Sequence, residues 1–325
     1  ELGEPSYRVR QLFEWVQQRG APDYEVMTNV PKSLRTALAE RMPVRSTRVR
    51  RSHPSDDGTS KLLVELSDGH AVECVLIPEG ERRTGCISTQ VGCGVGCVFC
   101  ASGADGVIRN LETSEILEQI HHLGDLAGEP LTHLVVMGMG EPLHNVEALV
   151  EALRIVQDPW GLDFSPRRIT LSTSGPRQGF ETLLRSGLRV KLAISLHAPF
   201  DDLRKELVPR GGSGTIQELQ KMATDWFEAT GRDVTFEYVL IDGVNDSDDH
   251  ARALARLCGR NRNVNVIPMN PVPFAPDLRA PPAARTNAFA AILRAAGVPL
   301  HLRRQRGDDV AAACGQLRLA DASSG

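Results

Sequence analysis

From Cys86 onward the chain repeats one pattern six times: a short apolar run, then a stretch with apolar residues at helical spacing. The runs at 84–90, 133–139, 168–174, 190–197, 234–241 and 264–270 are predicted strands, with 299–304 as a possible seventh. The stretches at 114–126, 146–157, 178–186, 215–229, 247–259 and 286–296 are predicted helices. Local signals agree: Thr215 with Glu218 makes a capping box, Asn145 and Asp246 suit N-caps, and Gly187, Gly231 and Gly297 suit stops. Strands alternating with helices form a parallel sheet through right-handed crossovers, so the fold class is α/β. Six units fall short of the eight that close a barrel. A partial (β/α)6 barrel is therefore expected. A doubly wound sheet is the alternative, because local pattern carries no strand order.

The part before the repeat is different. Val9, Leu12, Phe13 and Val16 fall at helical spacing, and Pro31 opens a second helix through Leu34, Leu38 and Met42. Two strand-like runs, Lys61–Leu66 and Ala71–Pro78, flank Ser67-Asp68-Gly69-His70 and predict a hairpin. The expected organisation is a small N-terminal helical domain (1–48), a β-hairpin extension (49–82), the barrel (83–306) and a C-terminal tail (307–325) whose end, 320–325, is read as mobile. No run approaches the ~18 apolar residues of a membrane span. No charged leader with an apolar run is visible, so a cytoplasmic protein is expected.

A net charge of −4 does not mark a nucleic-acid binder. Residues 1–51, however, carry ten Lys/Arg against six Asp/Glu, with Arg45, Arg48, Arg50 and Arg51 close together. Such a cluster reads equally as a phosphate-facing patch or as a solvated helix end followed by a basic strand.

Three of the seven cysteines crowd into eight residues, Cys93-Gly94-Val95-Gly96-Cys97-Val98-Phe99-Cys100. This C-x3-C-x2-C spacing is too tight for a disulfide framework and points to metal. Three thiolates can hold three irons of a [4Fe–4S] cube and leave the fourth open to chelate the amino acid end of S-adenosylmethionine. A structural zinc site is the competing reading; it needs a fourth ligand, which Cys86 could supply.

In parallel βα folds ligands gather at the carboxyl ends of strands. Here the first strand runs into the cysteine loop, and the later ones end in Met137-Gly138-Met139-Gly140-Glu141-Pro142, Ser172-Thr173-Ser174-Gly175, Ser195-Leu196-His197 and Pro268-Met269-Asn270-Pro271. Each is weak alone; together they outline a bed for one polar cofactor. Cys86, Cys314 and Glu73 stay ambiguous: two packing or two reactive cysteines, and a carboxylate facing solvent or a cavity.

Taken together, the segments Cys86–Cys93, the cysteine motif, Met137–Pro142, Leu171–Gly175, Ile194–Ala198 and Arg306–Leu317 resemble the bacterial radical-SAM adenine-C2 methyltransferases, from Gly3 to Leu317. The resemblance implies that Cys93, Cys97 and Cys100 bind the cluster, and that Gly140, Glu141, Ser172, Ser195, Leu196, His197 and Asn270 contact S-adenosylmethionine. It implies Cys314 as methyl carrier, Cys86 as its resolving partner through a transient disulfide, and Glu73 as base. It further implies two molecules of S-adenosylmethionine per turnover, 23S rRNA and tRNA as RNA partners, an electron donor such as flavodoxin or ferredoxin, no membrane association, and a monomer. Adenine C2 is electron-poor and cannot attack a sulfonium methyl directly, which is why such a roster is needed. Departures from the family pattern fall at Val107, Ile108, His144, Met269 and Ala311, none of them a catalytic position. The sister activity at adenine C8 shares the cysteines, and Pro142 after Gly-Glu favours the C2 branch. A zinc-stabilised RNA-binding module and a radical-SAM reaction on a peptide are the remaining alternatives.

Overall fold

The computed structural model describes residues 3–211, 214–259, 262–303 and 306–318. The 320–325 segment read as mobile, and residue 304 of the possible seventh strand, lie outside them. The N-terminal module holds α1 (Tyr7–Phe13), which runs on through a π-helical turn at Glu14–Gln18, and α2 (Lys32–Ala39). Its own small core gathers Ala21, Tyr24, Met27, Val30 and Leu34. Val9 and Met42, placed on the helical stripe by spacing, stay exposed; α2 stops at Ala39, short of Met42.

Next come β1 (Arg48–Pro54), β2 (Ser60–Glu65), β3 (Ala71–Glu79) and β4 (Arg82–Ile87), an antiparallel meander. The expected hairpin thus has a third strand, β1, missed because RVRRSHP has no apolar alternation. A small ribbon follows, β5 (Gln90–Gly92) with β6 (Val107–Asn110). The repeat supplies α3 (Thr113–Ala127), β7 (His133–Val136), α4 (Val146–Gln157), β8 (Ile169–Thr173), α5 (Arg177–Arg185), β9 (Lys191–Ser195), α6 (Asp201–Leu207), α7 (Ile216–Thr230), β10 (Val234–Leu240), α8 (Asp248–Cys258), β11 (Arg262–Pro268), α9 (Ala283–Ala295) and β12 (Leu300–Leu302).

Strand order in the main sheet is β1-β2-β3-β4-β7-β8-β9-β10-β11-β12. From β4 to β12 all pairings are parallel and the order follows the sequence, so the crossovers wind one way into a partial barrel and not a doubly wound sheet. β4 serves both halves: Cys86 pairs with Val75 on the antiparallel side and with Val135 on the parallel side. The buried strand residues form one core with the inward faces of α3, α4, α5, α7, α8 and α9, Trp226, Tyr238, Phe236 and Phe289 being the largest members.

Caps mostly fall where the residues put them. The Thr215/Glu218 box starts α7, and Gly231 ends it in the left-handed region. α8 is capped by Ser247 with His250, while Asp246 accepts from Gly243 instead. Asn145 makes no cap bond; its amide donates to the Thr89 and Leu111 carbonyls and ties the cysteine-loop ribbon to α4. Among the described residues no helix is long and apolar enough to cross a membrane.

The basic cluster divides. Arg45 is turned inward, donating to the Gly20 carbonyl and pairing with Asp125 of α3, so it joins the N-terminal module to the barrel. Arg48 and Arg50 stand exposed on β1 near Glu65.

Candidate active site

The β5–β6 ribbon pinches off the loop that carries the three clustered cysteines, closed by the Cys93 amide donating to the Gly106 carbonyl at 2.9 Å. Gly92 has φ +77°, and a Cβ there would stand 2.1 Å from the Gly106 oxygen, so only glycine fits. Cys93, Cys97 and Cys100 all line one cavity of about 160 Å³ at the carboxyl ends of the parallel strands. Burial pushes the Cys93 thiol up to about 11 and raises those of Cys97 and Cys100 as well. These soft donors become ligands when a metal centre displaces their protons.

The strand ends furnish the rest of the lining. Gly140, at φ +102°, packs against Gln90 so closely that a Cβ would fall 2.8 Å from the Gln90 nitrogen. The Glu141 carboxylate accepts from the Leu143 amide and Thr173 Oγ1 on one oxygen, and from the Ser174 amide and Oγ on the other. Its acceptor capacity is therefore engaged in joining two strand ends, and the Glu141 amide donates to Gln90 while its carbonyl accepts from the His144 amide, which leaves the Gly140 backbone and the second lone pair of the Glu141 carbonyl to meet a ligand. Ser172 and Ser195 Oγ are 3.5 Å apart in the same wall. His197 is buried with φ +58°, accepts from the Val239 amide at Nδ1, and meets Phe99 edge-on at 4.7 Å. Burial, then the Arg204 charge, brings its pKa down to about 3, so the ring is neutral. The Leu196 side chain is in the core. Asn270 donates to the Cys314 carbonyl at 2.8 Å.

Cys314 sits on a strap formed by residues 306–318. The strap is anchored on the cysteine loop, where the Ala101 amide donates to the Gly315 carbonyl and Ser102 Oγ to that of Leu317. It is anchored on the meander too: the Gly307 amide donates to Asp57, Ser55 to Asp309, and Arg306 to the Pro78 carbonyl. Cys314 is exposed and lines both the cysteine-loop cavity and a second one of about 670 Å³, which Cys86 also lines. Both thiols are free, and burial pushes that of Cys86 up to about 12. Glu73 lies apart from the lining of either cavity. It is buried, paired with Lys61 at 3.0 Å, and accepts from the Arg318 amide at 2.8 Å.

Among the lining residues that the sequence reading did not single out are Arg303 and Glu237. Arg303, just past β12, donates from Nη1 to Cys314 Sγ at 3.5 Å. Glu237 on β10 is buried, with Oε1 accepting from Asn265 and Oε2 without a partner; burial raises its pKa. Its signal was a carboxylate inside the apolar run Val234–Leu240, the same signal that singles out Glu73. Of the departures, Val107, Ile108 and His144 are exposed, Met269 is buried, and Ala311 has φ +49°.

Three thiols facing one cavity, with glycines and backbone groups at the strand ends around them, suit an iron–sulfur cluster with one iron left for an amino acid chelate.

Comparison with known proteins agrees. The Radical SAM superfamily profile matches residues 87–255, and that of the ribosomal RNA large subunit methyltransferase N-terminal domain matches residues 1–44. The probable dual-specificity RNA methyltransferase RlmN of Rhodopirellula baltica is 47% identical over 98% of this chain and 86% of its own length. Its counterpart in Moorella thermoacetica is 47% identical over 98% and 93%. The crystal structure of a radical SAM methyltransferase from Sphaerobacter thermophilus superposes with a TM-score of 0.93 at 48% identity, covering 97% of this chain and 94% of that one. With both halves matched and identity sustained along nearly its whole length, the chain belongs to the radical SAM superfamily and, within it, to the RlmN family of dual-specificity RNA methyltransferases.

Proposed function

We propose that this enzyme methylates C2 of adenine in 23S rRNA and in tRNA, using two molecules of S-adenosylmethionine per turnover and a methylated Cys314 as carrier. The observation that carries this reading is the placing of Cys314 on the wall shared by two cavities, one lined by the cysteine loop and the other by Cys86.

Cys93, Cys97 and Cys100 would hold the [4Fe–4S] cluster, which when bound supplies the electron that cleaves S-adenosylmethionine at its sulfonium. The Gly140 and Glu141 backbone, Ser172, Ser195, His197 and Asn270 would orient that molecule; neutral His197 adds no charge to the pocket. Cys314 would take the methyl of the first S-adenosylmethionine by displacement, releasing S-adenosylhomocysteine and its own proton, with Arg303 donating to its sulfur. The 5′-deoxyadenosyl fragment of the second S-adenosylmethionine would take one hydrogen from that methyl. The methyl carbon would then bond to adenine C2 and leave a CH2 bridge between sulfur and base, the odd electron returning to the cluster as the C2 proton leaves. Glu73 removes the C2 proton, which requires the strap to lift from its carboxylate, since the Arg318 amide now occupies one oxygen. Cys86 attacks the Cys314 sulfur, the disulfide forms, the methylated base leaves, and external reductant restores both thiols. The exposed arginines of β1 and the N-terminal module would grip the RNA by its phosphates and shape. A flavodoxin or ferredoxin would donate electrons to the monomer.

The test is anaerobic turnover on ribosomal RNA fragments and on tRNA, followed by nucleoside mass spectrometry. 2-Methyladenosine that vanishes in Cys314→Ala is expected; 8-methyladenosine, or product that survives Cys314→Ala, would refute the proposal.

A further inference from the structure

A helix of the barrel absent from the predicted pattern, α6, lies directly on the cysteine loop. The Val98 amide donates to the Leu207 carbonyl at 3.1 Å, and the Arg210 amide to the Val95 carbonyl at 3.2 Å. α6 carries Arg204 inward, where it is 3% exposed. Its Nη2 donates to the backbone carbonyls of Ser174 and Ser195, at 2.9 and 3.3 Å, while its Nε is buried without a partner.

A guanidinium cannot shed its charge, and a buried one normally has a carboxylate beside it. Among the described residues Arg204 forms no ion pair within 4.0 Å; its polar partners there are carbonyls. The acidic groups that act on it are Cys97, Asp201 and Glu141. Glu141 already accepts from four donors, and Asp201 accepts from the Ile216 amide. Cys97 is thus the group without another claim, and the loop that carries it is hung on the same helix. Arg204 does not line the cavity, so it acts on whatever the cysteines hold through its field and not by touching it.

We propose that Arg204 is the buried counter-charge of the iron–sulfur cluster, a positioning residue that raises the cluster's reduction potential. The inference rests on Cys93, Cys97 and Cys100 holding that cluster. Reduction adds one negative charge to the cluster, and a fixed cation in a low-dielectric surround favours the more negative state. Arg210 is a built-in comparison. Its guanidinium lies over Gly96, close enough to crowd any Cβ there, yet it is exposed and its field is screened by solvent.

The experiment is a redox titration of the full-length, anaerobically reconstituted protein, followed by electron paramagnetic resonance, with iron and sulfide measured on each sample. Arg204→Gln is expected to lower the ratio of reduced to oxidised cluster at fixed potential about tenfold, equivalent to ~59 mV for a one-electron couple. Arg204→Lys should stay within about twofold of the parent and Arg210→Gln should match it, because charge is kept in the first and screened in the second. A cluster-loaded Arg204→Gln with the parent potential would overturn the inference. If Arg204→Gln does not take up cluster, Arg204→Lys decides: uptake with a potential within about twofold of the parent's reduced fraction keeps charge as the requirement, and no uptake, or a potential displaced as by a lost charge, would overturn the inference. A parent protein that binds no iron after reconstitution would instead overturn the cluster reading, and this inference with it.

Discussion

The Lys61 ammonium stands 3.0 Å from the Glu73 carboxylate, with less than a tenth of either side chain exposed, and also donates to the Ala311 carbonyl on the strap. A buried pair contributes little net stability over an apolar replacement, but breaking it leaves a charge stranded, at about 3–5 kcal/mol. Lys61→Met should lower stability in urea by that order and make the segment after Gly307 more sensitive to protease. Adding Glu73→Gln to Lys61→Met should recover most of the loss; equal stability of parent and Lys61→Met would show that the pair is not formed.

Arg303 is expected to matter for Cys314 more than for the fold. A hydrogen bond from a charged donor contributes about 1.5–3 kcal/mol, so Arg303→Met should slow alkylation of Cys314 at neutral pH by about tenfold or more. Arg303→Lys should recover part of the rate. Peptide mass spectrometry after timed iodoacetamide treatment reads this directly, and identical rates in all three proteins would remove Arg303 from the chemistry.

The arginines near the start of the meander should separate into two classes. Arg45→Ala removes an interior tether to Gly20 and Asp125 and should cost about 1–3 kcal/mol. Arg48→Ala and Arg50→Ala should leave the melting temperature unchanged and weaken RNA binding. They should also reduce the slope of log affinity against log salt by about one for each phosphate no longer neutralised. Thermal melts and filter binding over a salt series distinguish the two classes; an unchanged slope would place the RNA elsewhere.

Acid should loosen the junction between the N-terminal module and the barrel. Burial, then the Arg45 charge, brings His121 of α3 down to about 4, from ~6.5 in an unfolded chain. Its folded value is the lower one, so its contribution is complete above pH ~6.5 and is lost as pH falls towards 4, amounting to roughly 3 kcal/mol. His121→Gln should flatten stability against pH in that window, and a parallel curve for the two proteins would exclude the histidine as the source.

The strands and helices of the repeat were legible because the strands are buried along most of their length and read as apolar runs, while each helix buries one face and writes its period into the residues. Where burial does not follow that rule, legibility stops. β1 is an exposed, cationic edge, and its strand character comes from pairing with β2. α6 is a single short turn system, Asp201–Leu207, that mostly exposes charged residues and buries Arg204. The cysteine loop and strand ends could be read locally, since their glycines and thiols sit within a few residues of one another. Arg303 and Arg204 could not, because what makes them notable is a neighbour brought from another element. Glu141 shows the converse: a residue conspicuous in sequence whose side chain is already committed to Thr173 and Ser174.

β4 belongs at once to the antiparallel meander and to the parallel barrel, so continuous strand pairing joins the arginine-bearing edge to Cys86. The span between them is fixed by rungs of backbone hydrogen bonds, as on a ruler. With the RNA grip on β1, as proposed, substrates would be selected by span: any RNA fold that offers a grip and an adenine at that one separation would meet the requirement, whatever its sequence. On the proposed function, an rRNA and a tRNA would then be a single measurement taken twice.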